Sequence, residues 1–376
     1  MKNINQLKQE ILTLPEKILP FTWYRYIVFL CRKIKFIGKE WPYAEEYFLK
    51  WRPFSRKKYY IVRWEYQLSS HFSAARNFIA IAENAKYKGM QPLLVLQWSS
   101  DTKKRDLCLE NEWETIFRQQ RMQDVLNERA TILVSRLYAT ADTIMRTSKV
   151  GSDINGDPAD YAIHATEINW KNYYKNVHKY VKRYWKFNHN ILAEAHKTYT
   201  KLFQSEGNVL GVALRENFSE EYNALIKNRE LKKVYKKHPL GPNVNEILSI
   251  VEECLEKWDC NKIFVASRFS DSIEKFEERY PGKVICCERE RKRMQEAIEG
   301  VNSRQKFIED SMGEDIEYKN YAHRIAKEYA QETILLSKCS YLIGAKSGQT
   351  IAALSLNGGR YKDIKILEDK RHIKRY

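Results

Sequence analysis

The sequence predicts an α/β protein with two domains, and three observations support this fold class. Short apolar segments that fit strands alternate with longer segments of helical period, which is typical of parallel sheets covered by helices. The chain has 376 residues, more than the roughly 250–300 that a single core usually serves. A long polar and aromatic stretch, Asn169–Ser205, separates two such series of segments. The second series has the rhythm of a doubly wound sheet.

The first series contains three predicted strands and one clear helix. Gly89 is expected to end the helix, since glycine commonly follows a last helical turn. Asn169–Ser205 is predicted to be a helical bridge into the second domain, because its aromatic residues recur at helical spacing. The predicted strands are Tyr59–Trp64, Pro92–Trp98 and Thr131–Ser135, and the predicted helix is Phe72–Lys88.

The second series is more regular than the first. Its strands are short apolar runs, and each is followed by a segment long enough for a helix. The predicted strands are Asn208–Arg215, Lys262–Ser267, Lys283–Cys287 and Ser340–Ala345. The predicted helices are Val244–Trp258, Ser270–Tyr280, Tyr318–Lys338 and Gln349–Leu356.

These elements divide the chain into four parts. Residues 1–58 are predicted to form a basic, aromatic, helical segment, and residues 59–205 a first α/β domain that includes the helical bridge. Residues 206–357 are predicted to form the second Rossmann-like domain. The basic tail, residues 358–376, either packs back on the first domain or extends from the second.

The formal net charge of +17 restricts the classes of partner. A basic surface favours phosphorylated ligands, nucleic acid or an anionic membrane. Basic residues are spread along the chain and interleaved with acidic ones, and no RNA-binding motif occurs. Nucleic acid is therefore the least favoured of the three partners, and none is expected.

Apolar runs and cysteines predict a cytoplasmic protein. No run reaches the roughly 18 apolar residues that cross a bilayer. The seven cysteines show neither a disulfide framework nor zinc-site spacing. Ile18–Gly38 mixes aromatic with basic residues, which fits a helix in a membrane interface or a helix packed on its own domain. The first alternative would place the protein peripherally, at the inner face of an anionic membrane.

Two strand ends in the second domain carry the residues of an anion site. Strand Asn208–Arg215 stops on an arginine, and strand Ser340–Ala345 leads into Lys346–Thr350 at the start of a predicted helix. Ligands of open α/β sheets bind at the carboxyl ends of strands, and helix N-termini offer free N–H groups to anions. No GxGxxG turn and no GxxxxGK[ST] loop occurs, so dinucleotide-dependent oxidoreductases and P-loop NTPases are not favoured. The pattern predicts a pyrophosphate site.

A series of ordered motifs resembles the GDP-fucose-dependent fucosyltransferase superfamily, over roughly Tyr59 to the C-terminus. That superfamily includes the α-1,6-fucosyltransferases, the nodulation fucosyltransferase and the protein O-fucosyltransferases. The resemblance implies a GT-B-like fold, in which two Rossmann-like domains face each other across a cleft. It places the donor on the C-terminal domain and the acceptor on the N-terminal side. The motifs are Gln67–Ser73 (QLSSHFS), Glu110–Phe117 (ENEWETIF), Leu210–Arg215 (LGVALR), His238–Pro239, Phe264–Ser267 (FVAS), Ile334–Cys339 (ILLSKC), Tyr341–Gly344 (YLIG) and Ser347–Thr350 (SGQT).

The resemblance also implies the roles of individual residues. Arg215 would stabilise the charge of the departing diphosphate, and Glu216 is the first candidate for the base that receives the acceptor proton. Glu65 is a further candidate base, and Glu332 either reaches the donor or packs on its own domain. The predicted donor-binding residues are Arg215, His238, Ser267, Arg268, Ser347, Gly348, Gln349 and Thr350. The predicted acceptor-side residues are Gln67, Ser69 and His71, of which His71 is also a candidate base.

Neither a metal nor another cofactor is expected, because no DxD-like pair stands at a strand end. The predicted function is that of an inverting, metal-independent glycosyltransferase. It would move a sugar, fucose from GDP-fucose in the first instance, to a hydroxyl of a glycan or lipid-linked oligosaccharide in polysaccharide synthesis.

Three positions depart from the motifs of the superfamily. Ala213 stands where the strand usually has histidine, Glu216–Glu220 lacks the usual aspartate, and Arg268 replaces an acidic strand end. These departures leave two alternatives open: another nucleotide sugar, or an inactive relative that serves as a binding subunit. A nucleic-acid-binding protein is the remaining alternative.

Overall fold

The computed structural model describes the chain in two compact units. The described residues are 46–65, 71–87, 89–97, 107–108, 110–135, 169–203, 207–214, 244–293, 316–345 and 347–367. Of these, 46–65, 74–114 and 118–135, with the gaps just given, belong to the first unit. The second unit takes 71–73, 115–117 and the described residues from 169 onward. Both units have a sheet with helices, which confirms the predicted α/β class.

The first unit is built on a four-stranded sheet of order β1-β4-β2-β3. β2 pairs in parallel with both β3 and β4, whereas β1 pairs antiparallel with β4. The middle strands are buried at Tyr59–Trp64 and Thr131–Ser135, as expected of strands covered on both faces. The strands are β1 (Glu46–Lys50), β2 (Lys58–Glu65), β3 (Gln91–Gln97) and β4 (Thr131–Ser135). The helices are α1 (His71–Tyr87), α2 (Trp113–Ile116) and α3 (Met122–Asn127).

The helical prediction for residues 1–58 is wrong at Glu46–Lys50, which form strand β1. Its sequence, EYFLK, has an apolar run of only three residues between two charged ones, which is too short to indicate a strand by itself. Tyr47 lies opposite Val134 and Phe48 opposite Leu133, and the Phe48 ring contacts Trp51. Pairing with β4 therefore determines the conformation of Glu46–Lys50, and the aromatic and basic composition of the N-terminal segment does not. The predicted interfacial helix Ile18–Gly38 lies outside the described residues.

The second unit is built on a five-stranded sheet of order β7-β6-β5-β8-β9, with every pair parallel. β5 lies at its centre, and its residues are all buried. The strands are β5 (Val209–Ala213), β6 (Lys262–Ala266), β7 (Val284–Ile285), β8 (Tyr341–Ala345) and β9 (Asp363–Leu367). The helices are α4 (Trp170–Tyr184), α5 (His189–Phe203), α6 (Val244–Lys257), α7 (Ser270–Arg279), α8 (Ile316–Leu336) and α9 (Gly348–Asn357).

Two differences from the sequence prediction concern the limits of this unit. Part of the predicted tail forms β9, which pairs with all five residues of β8. Its buried residues, Ile364 and Ile366, alternate with less buried ones. The predicted helical bridge forms two helices, α4 and α5, and both pack on the second unit. Trp170 and Tyr174 of α4 and Phe203 of α5 share one core cluster with Leu342 of β8.

The end of α8 and the segment after α9 are joined by side chains that bind backbone carbonyls. The Asn357 amide donates to the Ser337 carbonyl at 3.0 Å. The Tyr361 hydroxyl, which is buried, donates to the Leu336 carbonyl at 2.8 Å. These bonds satisfy carbonyls that a helix end leaves without partners. They keep α8, β8 and α9 in one block.

None of the described helices combines the length and apolar character that crossing a membrane requires.

Two glycines after α9 allow the chain to pass close to α4. Gly358 and Gly359 have φ values of 68° and 77°, a region that side chains disfavour. A Cβ on Gly359 would lie 2.3 Å from the backbone oxygen of Lys171, which cannot move without displacing α4. Gly282 has a similar φ of 71°, but nothing lies within 4 Å of its Cβ position.

We predict that Gly359→Ala destabilises the chain more than Gly282→Ala. Gly282→Ala, the matched control, should lower the free energy of unfolding by about 1 kcal/mol from left-handed strain alone. Gly359→Ala should lose about 1–3 kcal/mol more because of the clash with the Lys171 carbonyl. Chemical denaturation of both variants measures the difference, and equal losses would show that α4 does not approach this turn.

Candidate functional site

The carboxyl edge of the second sheet brings together the ends of β5, β6 and β8. Because the strands are parallel, these ends lie along one edge. Leu214, directly after β5, is buried and donates its N–H to the Ala266 carbonyl at 3.0 Å. Ser267 directly follows β6, and Ser347 precedes α9. The predicted strand ends therefore meet at the expected place.

Ser347 caps the N-terminus of α9. It has extended backbone angles, φ −135° and ψ 162°, and its hydroxyl accepts from the Thr350 N–H at 3.2 Å. The Ser347 and Thr350 hydroxyl oxygens are also 3.1 Å apart. The first N–H groups of a helix have no acceptor within the helix, so Gly348 and Gln349 offer donors at this edge.

Gly344 allows α9 to begin close to β8. A Cβ at this position would lie 2.7 Å from the Thr350 hydroxyl oxygen and 3.2 Å from the Ala213 Cβ. A contact under 3.0 Å would force one of the neighbours to shift. The absence of a side chain here therefore determines how near the α9 N-terminus lies to the ends of β5 and β8.

Gln349 has a buried donor without an acceptor. The residue is only 5% exposed, and its Nε2 has no hydrogen-bond partner in the described part of the chain. A buried polar group without a partner costs about 1–3 kcal/mol. The amide belongs to a residue of the first turn of α9, whose backbone N–H groups have no acceptor within the helix. An anion or another acceptor bound at this turn would satisfy it.

The Ser267 side chain is engaged within its own loop. Its hydroxyl accepts from the Phe269 N–H at 3.0 Å and lies 3.1 Å from the Phe269 carbonyl. This arrangement fixes the turn between β6 and α7. Arg268, the next residue, is exposed, and its guanidinium carbon lies 5.7 Å from the centre of the Phe269 ring.

Two arginines from the segment after β7 converge on the Ser267 carbonyl. Arg289 donates to this oxygen through Nη2, and Arg291 donates through Nε at 3.2 Å. Both guanidinium groups also pair with the Glu332 carboxylate of α8, at 3.1 Å from Arg289 and 3.3 Å from Arg291. A second carboxylate, Glu328, lies 3.5 Å from Arg289.

The ion pairs of Glu332 are buried. The side chains of Glu332, Arg289 and Arg291 are 2%, 6% and 8% exposed. Buried charges are stable only when paired, and loss of one partner leaves the others uncompensated. Among the described residues, this network contains two arginines and two glutamates, so their formal charges cancel. The network fixes this edge of the sheet.

Sequence reasoning missed Arg289 and Arg291. A signal was present, because the arginines alternate with Glu288 and Glu290 directly after a strand, and alternate residues of an extended segment face the same side. For Glu332 the sequence left two roles open, contact with the donor or packing on its own domain. In the structure its carboxylate binds these two arginines.

Several predicted site residues lie outside the described residues. These are Arg215, Glu216, His238, Gln67 and Ser69, and their roles stay predictions. His71 is described and is 4% exposed, at the first position of α1. Phe72 in the same turn, which like His71 belongs to the second unit, lies 5.7 Å, between ring centres, from Trp185 and from Tyr329.

Comparison with known proteins found similar solved structures. No protein-family profile and no curated protein sequence matches the chain. Fucosyltransferase NodZ from Bradyrhizobium is 13% identical, with a TM-score of 0.38, over 79% of this chain and 92% of that chain. POFUT1 in complex with GDP is 9% identical, with a TM-score of 0.39, over 83% and 99%. FUT1 of Arabidopsis thaliana in complex with GDP is 9% identical, with a TM-score of 0.38, over 95% and 76%.

We predict that Glu332→Gln lowers the free energy of unfolding by about 3–5 kcal/mol, because it leaves two buried arginines without their shared carboxylate. The matched control is Glu290→Gln. Glu290 pairs with Arg324 at 2.8 Å, but the two side chains are 69% and 47% exposed, so the loss should stay below about 1 kcal/mol. Urea denaturation of both variants tests the difference. Similar losses would contradict a buried network at this edge.

Proposed function

We propose that the chain is an inverting glycosyltransferase whose nucleotide-sugar donor places its diphosphate at the N-terminus of α9. The observation that carries the proposal is the first turn of α9. There, the Ser347 cap, the free Gly348 and Gln349 N–H groups and the unpartnered Gln349 amide lie at one strand edge. Such a group of donors suits an anion that arrives with the substrate.

The leaving group supports a diphosphate in particular. Negative charge builds on the donor phosphates as the sugar departs, and fixed donors stabilise that charge. Arg215 is the next residue after Leu214, whose N–H is bonded to β6 at this edge. We propose that Arg215 adds a permanent cation to the donors of α9. A site of this kind would not need a metal ion.

The reaction would be a single displacement at the anomeric carbon. It needs no nucleophile from the protein, only a group that receives the proton of the acceptor hydroxyl. Glu216 is the candidate, since it follows the phosphate arginine directly. Gln67, Ser69 and His71 are proposed to face the acceptor, a hydroxyl of a glycan or lipid-linked oligosaccharide.

Fucose from GDP-fucose is the first donor to test. The sequence motifs are the basis for this choice, together with the donor groups at α9. Arg268 stands where an acidic residue would be expected near the nucleoside, and it is exposed at the end of β6. This observation favours testing other nucleotide sugars beside GDP-fucose. Together with Ala213, it also keeps an inactive binding subunit as the second candidate.

We predict that GDP raises the melting temperature of the chain and that UDP and ADP do so less, because a ligand that binds only the native state stabilises it by mass action. Arg215→Ala should abolish the shift. Hydrolysis of GDP-fucose without acceptor then separates an enzyme from a binding subunit. A chain that responds to none of the three nucleotides would contradict the proposal, and a response led by UDP or ADP would change the donor.

We also predict opposite effects of Gln349→Met on binding and on stability. The variant removes an amide donor that has no partner, so stability should stay equal or rise. GDP binding, measured by calorimetry, should weaken about tenfold or more, because a hydrogen bond to a charged phosphate is lost.

The matched control for this variant is Gln119→Met. The Gln119 amide donates to the Leu94 carbonyl at 2.8 Å and accepts from the Leu94 N–H at 3.2 Å. The Gln119→Met variant should therefore lose stability and keep its affinity for GDP. Unchanged GDP affinity in the Gln349→Met variant would contradict binding of the donor at the N-terminus of α9.

A further inference from the structure

A row of lysines covers the solvent side of α4. Four of them lie on the helix, and the fifth follows its C-terminus; all five are exposed. At 3.6 residues per turn, the four lysines on the helix fall within an arc of about 80° and extend along about 16 Å. The opposite side of the helix, with Trp170, Tyr174, Val177 and Val181, is buried. The lysine row consists of Lys171, Lys175, Lys179, Lys182 and Lys186.

No member of the lysine row pairs with a carboxylate in the described part of the chain. Three of the ammonium groups bind neutral acceptors instead. Lys171 donates to the Lys362 carbonyl at 3.1 Å, Lys179 to the Asn176 side-chain oxygen at 3.2 Å and Lys186 to the Lys182 carbonyl at 2.6 Å. α4 itself contains no acidic residue.

Other exposed cations of the second unit behave differently. Lys201 pairs with Glu288 at 2.6 Å, and Lys365 pairs with Glu253 at 3.0 Å. Arg279 pairs with Glu252 at 2.6 Å. Some surface cations of this unit are therefore compensated by a carboxylate, whereas the lysine row brings together, on one helix and its end, five lysines without a carboxylate partner among the described residues.

Two cations from outside α4, Arg360 and Lys338, add to the positive charge near the lysine row, as the environment of His178 indicates. The His178 ring, on α4, lies 3.0 Å from the Ser355 carbonyl. Burial lowers the pKa of His178, and the charges of Arg360, Lys182 and Lys338 lower it further. Arg360 and Lys338 are exposed, so cations from outside α4 extend the basic surface around the row.

We propose that the lysine row of α4 docks the protein on a membrane surface that contains anionic lipids. A straight row of ammonium groups on one side of a helix can meet a flat layer of headgroup phosphates at the same time. Lysine provides a compact point charge without the paired geometry of arginine. Each lysine close to such a surface adds to the attraction. The proposal is independent of the donor site.

The features of the row favour a membrane over nucleic acid. Proteins that bind single strands add aromatic rings on which bases stack. The tyrosines of α4 fall outside the arc of the lysines: at 100° per residue, Tyr180 and Tyr184 lie roughly 100° or more from the nearest lysine in projection. Base readout also relies on arginine pairs, and no arginine lies within the arc.

Vesicle sedimentation of the full chain tests the proposal. The vesicles contain either phosphatidylcholine alone or phosphatidylcholine with about one third phosphatidylserine. The test variant carries Lys175→Gln, Lys179→Gln and Lys182→Gln. The control variant carries Lys257→Gln, Lys275→Gln and Lys283→Gln, three exposed lysines outside α4, so that both variants lose the same charge. Melting curves verify that both variants are folded.

The wild-type chain should bind the phosphatidylserine vesicles and not the neutral ones, and half-molar salt should release it. The test variant should partition about a hundredfold more weakly, whereas the control should lose much less. Equal losses in both variants would overturn the proposal, since net charge alone would then explain binding. A chain that ignores the vesicles but binds a random RNA duplex through the same lysines would overturn it as well.

Discussion

The ion pairs of the buried Glu332 carboxylate with Arg289 and Arg291 connect three elements that are distant in the chain. The glutamate lies on α8, the arginines follow β7, and both arginines also bind the Ser267 carbonyl at the end of β6. Charges buried to this degree persist only in a complete set, because each is costly without its partner. The network therefore makes the carboxyl edge of the second sheet a rigid framework.

This framework extends to α9 through backbone and side-chain contacts. The carbonyls at the end of α8 accept from Asn357, the last residue of α9, and from Tyr361 beyond it. Gly344 lets the first turn of α9 approach β8, with no Cβ between the strand and Thr350. Rigid packing on this side explains how a buried amide such as Gln349 can remain without a partner. The surroundings compensate for a local cost of about 1–3 kcal/mol, as is common where a site is prepared for a ligand.

The predictable parts of the fold are those whose signal is local. β5, β6 and β8 are short buried apolar runs, and the structure places them within a few residues of the predicted bounds. The Ser347 cap was also visible, because serine followed by glycine at a strand end is a typical helix start. β1 was missed because it becomes a strand by pairing with β4, which lies far along the chain. β9 was missed because its apolar residues only alternate with polar ones inside a basic tail. The Glu332 network, like β1, depends on residues distant in the chain, as 41 residues separate Glu332 from Arg291.

β7 contains only two residues, so the carboxyl end of β6 extends past the last residue of β7. The Ile263 N–H points to that side, where it donates to the Lys283 carbonyl. Backbone groups of a strand alternate in direction, so the Ser267 carbonyl points the same way. An open carbonyl there would invite the strand of another molecule. Two guanidinium groups occupy it instead, so side chains take the place of a backbone partner until the chain after β7 pairs again, where the Ser270 N–H donates to the Lys292 carbonyl.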